Sequence, residues 1–126
     1  MKMKRKESST AFSLAVSEAT QALRVRDIPS SRSKIASAIM LDMDAPEPHN
    51  LLGILYEMMG DDNAARKHYR AAYALDPTFK PSCRNLERLV VFNWGVQQRN
   101  FDFGIEVDMD QVENLETDQN PHPDQK

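Results

Sequence analysis

Three histidines, one cysteine and a scatter of arginines and asparagines are the side chains in this 126-residue chain with types suited to chemistry. His49, His68 and His122 show no metal-ligand spacing with Cys83 or with one another, which argues against a metal site. His68 stands among Arg66, Lys67 and Arg70, a pattern that reads as a solvated face and not as a general base. Cys83 has no neighbour in the sequence that would lower its pKa, so a small buried residue is its expected role. Glycine-rich phosphate loops and serine-nucleophile motifs are absent. No cofactor is implied, and the chain reads as not an enzyme.

The elements that must position these residues are helical. Apolar residues make up 40% of the chain and charged residues 28%, with only four glycines. Ala, Leu and Met, which lose little rotamer freedom in a helix, are plentiful. Phe12, Ala15, Val16, Ala19 and Leu23 form one apolar stripe at helical spacing, expected to run to about Arg26. Pro29 marks a break, and Ser30 or Ser31 is the expected cap of a second helix carrying Ile35, Ala38, Ile39 and Leu41. A third helix follows Pro46 and Pro48, carries Leu51, Leu52, Leu55, Tyr56 and Met59, and ends at Gly60. Asp61 or Asp62 caps a fourth, Ala64 to about Ala74. Thr78 caps a fifth, which holds Leu86, Leu89, Val90 and Phe92 and ends between Trp94 and Arg99. Short links make neighbouring helices antiparallel.

Within that chain of hairpins, His49 to Pro77 resembles the tetratricopeptide repeat, a helix-turn-helix unit of about 34 residues. Leu52-Gly53 followed by Tyr56 matches the family's Leu-Gly-x-x-Tyr, and Ala65, Tyr69, Ala72 and Pro77 fall at its later signature positions. Gly53, Ala65 and Ala72 are small where two helices approach, and Tyr56 and Tyr69 fill the gaps beside them. A weaker copy lies one repeat earlier, with Ala19 for Gly53, Ala22 for Tyr56, Ile35 for Tyr69 and Ala38 for Ala72. One repeat later Leu86 falls on Leu52, and no second helix of that unit is legible.

The resemblance implies an all-α fold of antiparallel helical hairpins, stacked as a short superhelix of about two repeats and a closing helix. It divides the chain into a basic lead (1–11), the repeat domain (12–99) and an acidic tail (100–126). It also implies a protein-binding module, an adaptor or scaffold, holding a partner's peptide or helix in a concave groove. The family's inward positions map onto Val16, Thr20, Arg24, Asn50, Ile54, Glu57, Met58, Arg84 and Arg88. Asn50, Arg84 and Arg88 are the expected polar readers, since Asn offers both a donor and an acceptor and Arg grips carboxylates. A family subset clamps a terminal carboxylate with Lys, Asn and Arg. Val16 and Thr20 replace two of those residues here, so chaperone-tail binding is not expected.

Other functions stay open at this point. The chain could be an accessory subunit or substrate-specific chaperone of a larger complex. Lys2, Lys4, Arg5 and Lys6 could contact nucleic acid or a membrane surface, although the net charge is −3 and no aromatics are interleaved for stacking. Val91, Phe92 and Trp94 lie in an apolar run that could bury against the tail or form a second interface, including a homodimer. Residues 101–126 carry eight acidic groups against Lys126. Within them Phe101 to Asp108 alternates apolar with acidic or small residues, which predicts an extended segment. That segment either packs on the closing helix or enters the groove near Arg84 and Arg88 as a pseudo-ligand. Beyond about Asn114 the composition reads as disordered. No apolar run approaches the roughly 18–20 residues of a membrane span, no export signal follows the basic start, and the expected location is cytoplasmic.

Overall fold

A computed structural model describes residues 2–91 and 99–104, with side chains for residues 9–90 and 99–104. Five helices account for its regular structure: α1 (Lys2–Arg24), α2 (Ile28–Leu41), α3 (Glu47–Met58), α4 (Asp62–Leu75) and α5 (Lys80–Val91). No strand occurs among the described residues. The fold is an all-α helical repeat.

The helix ends repeat at the 34-residue spacing that the apolar pattern suggested. At the end of α1, Asp27 N–H donates to Ala22 O and Arg26 N–H to Leu23 O, with Arg26 left-handed at φ 59°. At the end of α3, Asp61 N–H donates to Tyr56 O and Gly60 N–H to Glu57 O, with Gly60 at φ 84°. Both are Schellman caps. The following aspartate then starts the next helix: Asp27 accepts the Ser30 N–H and Asp61 accepts the Ala64 N–H. Asp42 and Asp76 close α2 and α4 in the same extended geometry.

These devices correct four expectations. Asp27, not Ser30 or Ser31, caps α2, and Pro29 sits in the first turn, where its missing N–H has no intrahelical partner to lose. The break therefore falls at Val25-Arg26, before Pro29. Thr78 gives its N–H and its hydroxyl to Asp76 and belongs to the turn, so it does not cap α5. Residues 2–11 are part of α1, because Lys, Arg, Met and Glu favour helix without needing an apolar face. Finally, Leu41, Met59 and Val90 are exposed, the first two at helix ends beyond the last packed turn.

α1, α3 and α5 pack in one layer, while α2 and α4 lie outside it and do not touch each other among the described residues. Close inner helices and separated outer helices make the α1–α3–α5 side concave. Leu23, Ile35, Leu51, Ile54 and Tyr69 are fully buried between the layers. A Cβ at Gly53 would collide with the Tyr69 ring, which is why the larger aromatic goes with glycine. One repeat earlier the smaller Ile35 goes with Ala19, and both are fully buried.

Arg26 has the one positive φ of a non-glycine residue among the described residues, and its side chain is exposed. A left-handed L-residue costs about 1–2 kcal/mol, part of which glycine would return through its freedom in the unfolded chain. Arg26→Gly is therefore expected to stabilise the fold by about 0.5–1 kcal/mol. Urea denaturation reads this directly, and an unchanged or lower midpoint contradicts the strained cap.

Candidate functional site

Of the histidines and the cysteine first considered for chemistry, His49 and His68 lie together. The described residues contain no group of three metal-binding side chains. His68 is half-buried beside the exposed Lys67 and Arg70, less solvated than its sequence neighbours suggest: it stacks on Tyr56 at 5.2 Å and on His49 at 5.9 Å. Burial lowers the pKa of both imidazoles, and the neighbouring His49 lowers that of His68 further. Cys83 is half-buried and unbonded to another cysteine, and His122 lies outside the described residues.

The polar residues converge instead on the concave side, around Glu57. Its side chain in α3 has no exposed surface. Arg88 of α5 grips both carboxylate oxygens at 2.8 Å, and Arg99 donates to one of them at 2.9 Å. Tyr69 of α4 donates its hydroxyl at 2.5 Å. Burial, then Glu57, hold the Tyr69 phenol far above its ordinary pKa, so it stays a donor. Burial disfavours the Arg88 charge, but Glu57 outweighs it and the guanidinium remains protonated. Arg99 also pairs with Asp62 at 2.9 Å.

Beside this cluster, Asn50 and Asn85 together clamp the backbone of one residue of this chain. Both are essentially fully buried, and the Asn85 amide donates to Asn50 Oδ1 at 2.8 Å. The clamp is occupied by the chain's own residues 99–104. Asn85 accepts the Asp102 N–H at 2.9 Å, and Asn50 and Asn85 each donate to the Asp102 carbonyl at 2.9 Å. The Asp102 side chain pairs with Arg84 at 2.8 Å and accepts the Gly104 N–H at 3.0 Å. Arg88 lies over the Phe101 ring at 5.2 Å and Arg24 over the Phe103 ring at 4.9 Å. Those two rings meet edge to face, with centroids 6.2 Å apart.

The expected inner-face residues divide accordingly. Arg24, Asn50, Glu57, Arg84 and Arg88 come together around residues 99–104. Ile54 is fully buried core, Met58 is half-buried against that core, and the Thr20 hydroxyl is spent on Val16 O at 2.9 Å. None of these three reaches the segment by a hydrogen bond or ion pair. Val91 is described only in its backbone, and Phe92 and Trp94 lie outside the described residues, so the proposed second interface does too. Residues 101–104 are not a strand, and they meet both descriptions offered for them: Phe101 and Phe103 pack against the core beside α5, and Asp102 pairs with Arg84.

Sequence reasoning missed Asn85 and Arg99. Asn85 carried a signal: one repeat earlier its place is taken by Leu51, which is fully buried. A polar residue at a core position must find buried partners. Arg99 carried none, since it lies outside the helices and meets Glu57 from 42 residues away.

With this geometry in view, the tetratricopeptide repeat family model matches residues 46–79, which span α3 and α4. The chain is a tetratricopeptide-repeat-containing protein, and the repeat is in general a protein–protein interaction module of a typically non-enzymatic family. No curated protein and no solved structure matches the chain. No helix among the described residues is long and apolar enough to cross a membrane.

Removing the carboxylate should leave Arg88, whose side chain is 14% exposed, without its counter-charge. Glu57→Ala is therefore expected to cost about 3 kcal/mol of stability, as for other buried ion pairs cut on one side. Urea denaturation checks it, and a loss within about 0.5 kcal/mol, as at an ordinary surface site, contradicts the burial of this cluster.

Proposed function

We propose that this protein holds an extended segment of a partner protein on its concave face, as an adaptor or scaffold would. The observation that carries this reading is the Asn50–Asn85 pair, which meets both the N–H and the C=O of one residue in a non-helical segment. Two buried side-chain amides that satisfy a backbone read shape before sequence, because every non-proline residue offers the same donor and acceptor. Arg24, Arg84 and Arg88 surround the clamp and supply preference for aromatic and acidic side chains.

Selection of displayed random peptides on the full chain tests this. Enriched peptides are expected to lose at least about tenfold in affinity on Asn85→Ala, the loss of more than one buried hydrogen bond. They should also weaken on Arg84→Ala, an exposed change that leaves the core alone. Peptides indifferent to both substitutions would place binding elsewhere and overturn the reading.

A further inference from the structure

We propose that residues 99–104 are a resident copy of the groove's ligand, and that the partner carries an extended aromatic–Asp–aromatic–Gly segment which enters by displacing it. This rests on the groove reading above and names the chemistry that the groove selects.

Each position of the resident segment meets a distinct feature of the inner face. The first aromatic, Phe101, lies under the Arg88 guanidinium, and the second, Phe103, under that of Arg24. Between them the Asp102 backbone takes both asparagines, which excludes proline there because its N–H is used. The Asp102 carboxylate faces Arg84 and also accepts the Gly104 N–H, a turn that requires a short acceptor side chain. Gly104 is selected twice. Its φ is +81°, and a Cβ there would stand 2.9 Å from the Phe79 ring.

The segment is anchored at Arg99, which pairs with Glu57 and Asp62, and beyond that anchor it is held in a way that allows it to leave. Residues 101–104 are only half-buried, and Arg99 and Asn100 are exposed. Arg84 is 63% exposed along its side chain, so its pair with Asp102 is screened by water. Phe101 and Phe103 pack against the outside of the buried core cluster and are not members of it. Removing them uncovers an inner face and opens no hole in the fold.

Space beside the segment shows how an incoming ligand can win. A cleft of about 470 Å³ remains open there, lined by Arg24, Arg84 and Arg88 together with Asn85, Phe101 and Phe103. Of these arginines, Arg84 pairs with Asp102 and Arg88 with Glu57, while Arg24 has no carboxylate partner among the described residues. A tethered ligand competes at an effective concentration on the order of millimolar. A partner segment that adds one more carboxylate, set against Arg24, can overcome that advantage through a contact the resident segment lacks.

The test uses a fluorescent, end-capped hexapeptide, Arg-Asn-Phe-Asp-Phe-Gly, titrated by anisotropy into the full chain and into a full chain bearing Phe101→Ala and Phe103→Ala. The double variant is expected to bind about tenfold or more tightly than the native chain, because the tethered competitor has been disabled. Replacing Asp by Lys in the peptide, or Arg84→Ala in the protein, should weaken that binding several-fold. Circular dichroism confirms the helices. If the double variant does not fold, Gly104→Val disables the segment through its positive φ and the contact with Phe79, and the same comparison is made. Equal affinity for native and disabled chains, or no binding to a folded disabled chain, overturns the proposal. Random peptides that bind through Asn85 while this hexapeptide does not would sink the motif and leave the groove reading standing. Failure of both would remove both.

Discussion

A carboxylate taken out of water must be paired, and the inner face of this protein is organised around one that is. Desolvating Glu57 costs several kcal/mol, which only close and multiple partners can offset. Its partners come from α4 (Tyr69), α5 (Arg88) and the chain beyond α5 (Arg99). One side chain on α3 thus fixes how the fourth and fifth helices and the returning segment stand against the third. The scaffold itself does not ask for this charge. One repeat earlier the places of Glu57 and Tyr69 are held by Leu23 and Ile35, both fully buried and purely apolar. The same helical hairpin therefore packs with hydrocarbon in the first unit and with an acid–phenol pair in the second.

That exchange continues into the closing helix. Asn85 and Arg88 stand one repeat after Leu51 and Ile54, so α5 presents amide and guanidinium where α3 presents core. A lone helix at the end of an array would otherwise expose this side as an apolar patch. Here Asn85 and Arg84 are met by the backbone and carboxylate of Asp102, and Arg88 by Glu57 of α3. The stacking of hairpins is thus mainly hydrophobic, while the position of the segment is set by hydrogen bonds, two cation–aromatic contacts, the half-exposed Arg84–Asp102 pair and the pairs of Arg99 with Glu57 and Asp62. Beyond Arg99 the segment itself is only half-buried, so residues 101–104 are the part of the inner face best suited to exchange.

The helical architecture was legible because it rests on local rules. The stripe through Phe12, Ala19 and Leu23, the glycine at 60, the aspartate at 61 and the proline at 77 each act within a turn or two of where they lie. The small residues Gly53, Ala65 and Ala72 added the 34-residue offset, which the Schellman caps at Arg26 and Gly60 repeat in backbone geometry. Arg26 hid the first cap, since a left-handed arginine has no signature in sequence. Part of the site was readable on the same basis, since Asn50, Arg84 and Arg88 follow from the repeat register. Asn85 and the burial of Glu57 were not obtained, because an inner-face assignment treats polar residues as solvated. Both become visible only when each polar residue is compared with the apolar one that a neighbouring repeat places there. Thr20 differs in another way: its hydroxyl is buried and its donor is used within its own helix at Val16.

On the proposed reading, residues 99–104 occupy a groove that a partner can also fill. Amide hydrogen exchange at Asp102, whose N–H is held by Asn85, tests it most directly. This amide is expected to be protected, yet to open at a free energy well below that of the buried α3 amides, by a local release of the segment. Protection equal to that of α3 would make the segment a fixed part of the fold. Exchange at the free rate would mean that it does not occupy the groove at all.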